Sequence, residues 1–95
     1  MHKVSEVIVV EGRYDKNTLS QVVDAVIIET SGFGVFNNKE KQQLLRTLAE
    51  KRGLIVMTDP DGAGLVIRNF VKSCVDPSRV TVFRPLAKKK KKRRA

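Results

Sequence analysis

The chain has a single cysteine, a single histidine and no tryptophan. One thiol cannot form an internal disulfide framework, which fits a reducing compartment, and Cys74 falls in an apolar helical pattern that makes it a packed thiol rather than a reactive one. One imidazole, His2, near the start of the chain, leaves no credible Ser-His or Cys-His couple, and His2 itself is expected to be a disordered surface residue. Four phenylalanines and one tyrosine cannot fill a core, so Val, Ile and Leu must. No stretch approaches the roughly 20 apolar residues that span a bilayer, so no membrane association is expected. The opening Met1-His2-Lys3-Val4 runs straight into a strand-like segment without the architecture of a signal peptide, and the cytoplasm is the expected location. Ninety-five residues make one domain, near the small end of what folds alone.

What the chain has in excess is positive charge, with a net +9. It is not spread evenly. Lys88, Lys89, Lys90, Lys91, Lys92, Arg93 and Arg94 form an unbroken basic run, and without it the body carries only about +2. Like charges in sequence repel and stay hydrated, so this run reads as a disordered tail over 88–95 following a domain over 1–87. It is either a solubilising terminus or an arm that adds salt-dependent, sequence-independent affinity for phosphates; its charge density favours the arm.

Hydrophobic patterning gives four strands and three helices. Val4 to Val10 ends in a β-branched run without alternation, the mark of a strand covered on both faces. Asp15 is placed as the N-cap of a first helix bearing Leu19, Val22 and Val23 on one stripe. A short strand over Ala25 to Glu29 and a flexible loop over Thr30 to Gly34 follow. Asn37 with Glu40 resembles a capping box opening a second helix, whose Leu44, Leu45, Leu48 and Ala49 face inward and which Gly53 ends. Leu54 to Thr58 is a third strand. Ile67, Phe70, Val71 and Cys74 give a third helix, stopped by Asp76-Pro77, and Arg79 to Phe83 a last strand. The alternation β-α-β-α-β-α-β with short right-handed crossovers specifies an α/β fold, a parallel four-stranded sheet with helices on both faces.

In such a sheet ligands bind at the carboxyl ends of the strands. Glu11 lies just past the end of the first strand, and Asp59 and Asp61 just past the third. Those strands can be neighbours if the second goes to the outside. Side chains at i and i+2 of extended chain point the same way, Pro60 stiffens the turn, and Gly62 and Gly64 clear space for backbone or phosphate. Two unit charges about 4 Å apart repel by roughly 4 kcal/mol at an effective dielectric near 20. A hard divalent cation cancels that repulsion, and all-oxygen ligands suit Mg²⁺ or Mn²⁺. Taken singly, each acid reads as a loop or capping residue; taken together, they read as a metal site suited to phosphate chemistry. An EF-hand from Asp59 fails because Phe70 stands where an acid must, and dinucleotide fingerprints from Gly32 or Gly62 fail at Asn37 and Ile67.

These residues resemble the toprim domain, the module shared by topoisomerases, bacterial primases and several nucleases. Its signature is Glu-Gly after the first strand, here Glu11-Gly12, and Asp-x-Asp after the third, here Asp59-Pro60-Asp61. Val-Ile-Val-Val-Glu-Gly-Arg-Tyr-Asp (7–15), Ile-Glu-Thr-Ser-Gly (28–32) and Arg-Gly-Leu-Ile-Val-Met-Thr-Asp-Pro-Asp (52–61), continued by Gly64 and Ile67-Arg68, are most similar to the ribonuclease M-five type. The resemblance implies a Rossmann-like sheet and Mg²⁺-dependent endoribonuclease hydrolysis of structured RNA, as in maturation of a 5S ribosomal RNA precursor presented with a 5S-binding ribosomal protein. It further implies Glu11 as general acid or base, Asp59 and Asp61 as metal ligands with Glu11, and Asp15 as an auxiliary acid. By chemistry, Arg13, Lys16 and Arg68 could neutralise phosphate. Ribonucleases of that type continue into a second domain, so this sequence is expected to be a minimal or excised domain, or one whose basic tail replaces the missing part.

Three other functions compete. One is a non-catalytic RNA-binding or ribonucleoprotein module, which the basic run favours and the intact acid set disfavours. Another is a toprim domain acting on DNA, where Tyr14, the lone tyrosine, reads as a loop residue rather than a nucleophile. The last, a receiver-like phosphoacceptor, calls for five strands where this chain offers four.

Overall fold

The computed structural model describes residues 1–83; the expected basic tail, Lys88 to Arg94, lies outside them. Val7-Ile8-Val9-Val10 has no polar side chain to offer water, and as strand β2 (Val7–Val10) all four residues are buried. Such a strand must sit inside a sheet covered on both faces. It does: β2 pairs in parallel with β4 (Ile27–Glu29) on one side and β5 (Leu54–Met57) on the other, and β5 pairs in parallel with β6 (Val80–Val82). The order β4-β2-β5-β6 puts the expected first and third strands side by side and the second at the edge.

Three α-helices cover this sheet: α1 (Arg13–Ser20), α2 (Lys39–Arg52) and α3 (Gly62–Cys74). On one face Val7, Val9, Leu54 and Val56 meet Leu45 and Ala49 of α2 and Ile67 and Val71 of α3. On the other, Ile8, Val10 and Ile27 are covered by Leu19 of α1 and its neighbours. The alternation of sides along each strand divides the apolar residues between the two layers. The chain is therefore α/β with helices on both faces, as its sequence implies. Leu45 is fully buried in the larger layer. Its replacement by alanine is expected to cost about 2–5 kcal/mol, read as a fall in the urea midpoint at unchanged slope.

Several local expectations are corrected. A second small parallel sheet joins β1 (His2–Lys3) to β3 (Val23–Asp24), so His2, although exposed, is a strand residue. The first helix starts at Arg13 after an extended Gly12, with Asp15 in its first turn rather than at its cap, and it includes Tyr14. Because it ends at Ser20, Val22 leaves the apolar stripe and is exposed. The cap of α2 is Asn38, whose side chain accepts from Lys41 N at 2.9 Å, one residue later than expected. The buried stripe of α2 runs through Leu45 and Ala49 with Leu48 beside it, and Leu44, at the edge of that stripe, is exposed. The segment after β4 is not a loose loop but a 3₁₀ turn, Gly32–Asn37, with Val35 fully buried. Cys74 is partly buried against the larger core layer.

Candidate nuclease site

The carboxyl ends of β2 and β5 are adjacent because Val10 and Met57 are register partners. The residues following each strand meet there. The Glu11 carboxylate accepts a hydrogen bond from the backbone N–H of Asp59, Oε2 to N 3.1 Å. Residues 48 apart in sequence are thus joined by one contact at the sheet edge. A third loop fixes the Glu11 backbone: its carbonyl accepts from Gly32 N at 2.9 Å and from Thr30 Oγ1 at 3.2 Å. Thr30, wholly buried, is a polar residue held by that bond.

The Asp59 loop is held from below. Thr58 Oγ1 donates to the Gly64 carbonyl at 2.8 Å, and Arg68 Nη2 donates to the Thr58 carbonyl at 3.3 Å. Helix α3 packs so closely that a Cβ on Gly64 would lie 2.5 Å from the Asp59 carbonyl oxygen and 2.6 Å from its nitrogen. Only glycine admits this approach. Arg68 is 5% exposed, with Nε unpartnered among the described residues. The expectation that Arg68 faces phosphate is therefore corrected: one helical turn after Gly64 it points into the protein and supports the Asp59 loop.

Glu11, Asp15 and Asp59 line one cavity of about 200 Å³, whose other walls are Met57, Thr58 and Phe83. Asp15 comes to it from the first turn of α1, where its Oδ2 accepts from Gly12 N at 3.3 Å. Asp61 is exposed at the N-cap of α3 in extended backbone, makes no capping bond through its side chain, and is not among the lining residues. Arg13 and Lys16 are exposed on α1. Sequence reading missed Thr30, Thr58 and Phe83. The two threonines carried a signal in being uncharged polar residues at the ends of apolar strands; Phe83 carried none.

Among the described residues no group of three or more His, Cys, Asp or Glu side chains is gathered that could hold a metal ion. The donor chemistry still suits a hard divalent cation. Three carboxylates border one cavity at a sheet edge, and Mg²⁺ takes one or two carboxylates and fills its remaining positions with water and phosphate oxygen. No described helix is long and apolar enough to cross a membrane.

A family model described as Toprim domain matches residues 5–84. Among curated proteins, the chain is 41% identical over 93 residues to Ribonuclease M5 of Bacillus subtilis (strain 168), covering 96% of this chain and 48% of that one. It is 42% identical over 69 residues to Ribonuclease M5 of Fusobacterium nucleatum, covering 73% of this chain and 37% of the relative. The chain thus spans less than half the length of these relatives. Among solved structures, a small TOPRIM domain protein from Bacillus stearothermophilus matches with a TM-score of 0.59 and 29% identity, over 86% of this chain and 69% of that one. Parallel order, carboxylates at the ends of β2 and β5, and a family model covering residues 5–84 converge on one assignment: the chain belongs to the toprim family.

Proposed function

We propose that the chain is a divalent-metal-dependent endoribonuclease domain that hydrolyses phosphodiester bonds in structured RNA. The observation that carries this reading is the Glu11–Asp59 contact opening onto a cavity shared with Asp15. Its likeness over most of its length to proteins named Ribonuclease M5 supports RNA as the substrate. Glu11, Asp59 and Asp61 would hold Mg²⁺, or Mn²⁺ in its place, which when bound supplies charge neutralisation at the phosphate. Reach of Asp61 to that ion calls for rotation of an exposed side chain that no cap bond restrains.

The chain's own groups then act as follows. Glu11 takes a proton from water as the water oxygen bonds to phosphorus. The bond from phosphorus to the leaving ribose oxygen breaks, and that oxygen receives a proton from solvent; Asp15, beside it in the same cavity, is an auxiliary carboxylate. The N–H of Asp59 holds the Glu11 carboxylate in place by donating to its Oε2 at 3.1 Å. Arg13 and Lys16, exposed on the neighbouring helix, balance phosphate charge. Lys88 to Arg94 would add salt-dependent affinity. A ribosomal RNA precursor of the 5S class, met with a 5S-binding ribosomal protein in the cytoplasm, is the substrate this reading favours.

The test is incubation of the chain with labelled 5S precursor RNA, with and without Mg²⁺ and the ribosomal protein. Site-specific cleavage that needs the metal is expected, and Asp61→Asn is expected to slow it at least about tenfold. Salt-sensitive binding without cleavage would instead make the chain a non-catalytic RNA-binding module.

A further inference from the structure

Thr30 is polar and wholly buried, and both of its donors go to the peptides on either side of Glu11. Its N–H donates to the Val10 carbonyl at 2.9 Å, and its Oγ1 donates to the Glu11 carbonyl at 3.2 Å. The backbone at any residue has two soft torsions, one toward the peptide before Cα and one toward the peptide after it. With both peptides tied to Thr30, the direction in which Glu11 sends its Cβ is set. The carboxylate on that side chain is the one that accepts from Asp59 N.

Thr30 is itself held. Strand β4 is three residues long and lies at the edge of its sheet, paired on one side only among the described residues. Lys41 Nζ, reaching from α2, donates at 2.7 Å to the carbonyl of Glu29, the residue before Thr30. Past Thr30 the chain turns through Ser31 at φ 61°, the one left-handed residue other than glycine among the described residues. That turn brings Gly32 N to the Glu11 carbonyl at 2.9 Å. A carbonyl oxygen has two lone pairs near its peptide plane, so donors from Thr30 and Gly32 together fix that plane, where one alone would let it swing. Left-handed backbone in a residue with a side chain is costly and persists where its surroundings over-determine it, which is common beside active sites.

A buried hydroxyl must find some partner, and a threonine that only props the core would satisfy that rule. The choice of partners separates the two roles, because both bonds of Thr30 fall on the peptides of Glu11. We propose that Thr30 is a positioning residue for Glu11, its hydroxyl aiming the carboxylate at the Asp59 N–H and at the reacting phosphate. A tilt of about 15° at Cα moves a glutamate oxygen, about 4 Å out, by about 1 Å, and a misplacement of that size costs up to about 10²-fold in rate. The effect on cleavage rests on the reading of this edge as a nuclease site; the effect on the Glu11–Asp59 contact does not. Being wholly buried, Thr30 cannot touch RNA, so its loss appears in the chemical step and not in binding.

The test compares, in the whole chain, Thr30→Val, which keeps the shape and loses the hydroxyl, with Thr30→Ser, which keeps the hydroxyl. In heteronuclear NMR of the metal-free protein, the Asp59 amide proton of Thr30→Val should move upfield, toward its place in Glu11→Ala, while Thr30→Ser leaves it near the parent's. With labelled 5S precursor RNA and Mg²⁺, Thr30→Val should lower the single-turnover cleavage rate about 10- to 100-fold, and Thr30→Ser should recover most of it. RNA affinity without metal should stay within about twofold of the parent in both. Circular dichroism melting checks the fold, and the lost hydrogen bond should lower Tm by no more than about 8 °C. A folded Thr30→Val chain whose Asp59 amide stays at the parent's position overturns the proposal, as does one that cuts at the parent's rate, or a Thr30→Ser chain as slow as the valine variant. A Thr30→Val chain that fails to fold overturns it too, the hydroxyl then being a prop of the core. A parent that leaves RNA uncut with Mg²⁺ present loses the hydrolytic reading, and the Asp59 amide still decides the positioning role.

Discussion

Glu11→Gln is expected to lower the single-turnover rate of metal-dependent RNA cleavage by about 10²- to 10⁴-fold while leaving the fold intact. The two halves of this statement have separate physical sources. In the structure the Glu11 side chain accepts from Asp59 N at 3.1 Å. A glutamine carbonyl oxygen can accept the same bond, and the Glu11 backbone contacts to Gly32 and Thr30 do not involve the side chain at all. Stability should therefore move by no more than about 0.5 kcal/mol, and loss of a negative charge beside Asp59 can only relieve repulsion. Chemistry has no such substitute. An amide is not a base at neutral pH and is a far weaker ligand for a hard cation than a carboxylate. A thermal melt coincident with the parent and a rate within tenfold of it would remove Glu11 from the acid-base role and shift that role to Asp15 or Asp59.

The architecture was legible from sequence wherever one physical pattern dominated. Val7 to Val10 offers no polar face, so its burial on both sides follows, and with it the parallel sheet; the adjacency of β2 and β5, one possibility in the sequence, is realised because β4 takes the edge. Boundaries were less legible because competing local signals differ by small energies. Asn37 and Asn38 are both good caps, and only the bond to Lys41 N distinguishes the second; Leu44 is exposed because the stripe that α2 buries is narrower than its leucines suggest. The turn after β4 read as loose because its glycines permit disorder, yet Val35 and Phe36 supply apolar anchors that Phe70, far away in sequence, completes. At the site, the meeting of Glu11 with Asp59 was expected on condition that the first and third strands are neighbours, and the strand order meets that condition. The inward course of Arg68 did not, since its charge argued for the surface and only the packing of α3 against the Asp59 loop turns it in. The wall formed by Phe83 depends on β6 lying beside β5, which residue type alone does not specify.

Gly64→Ala is expected to be the most damaging of the small substitutions near the site, and three glycines make the reason measurable. A Cβ at Gly12 would meet nothing within 4 Å, and its extended φ of −143° suits any residue. Gly12→Ala should therefore stay within about 0.5 kcal/mol of the parent. Gly62 also has open space, but its φ of +57° is left-handed, so alanine there should cost about 1–2 kcal/mol of backbone strain. At Gly64 the backbone conformation is not at issue; room is. The added Cβ would fall 2.5 Å from Asp59 O, 2.6 Å from Asp59 N and 2.7 Å from Asp59 Cβ. Two of these are main-chain atoms and cannot rotate away, so either α3 withdraws from the sheet edge or the Asp59 loop moves. A cost of about 3 kcal/mol is expected, a fall in Tm of about 12–24 °C for a domain of this size. The displaced loop carries the N–H that positions Glu11, so cleavage should be lost even well below the melting temperature, where the variant is still folded. Melting curves and cleavage rates of the three variants, measured together, check the order Gly12 least, Gly62 intermediate, Gly64 most. A Gly64→Ala chain that melts with the parent would show that α3 does not lie against Asp59 at this distance, and the support of the loop from below would have to be abandoned.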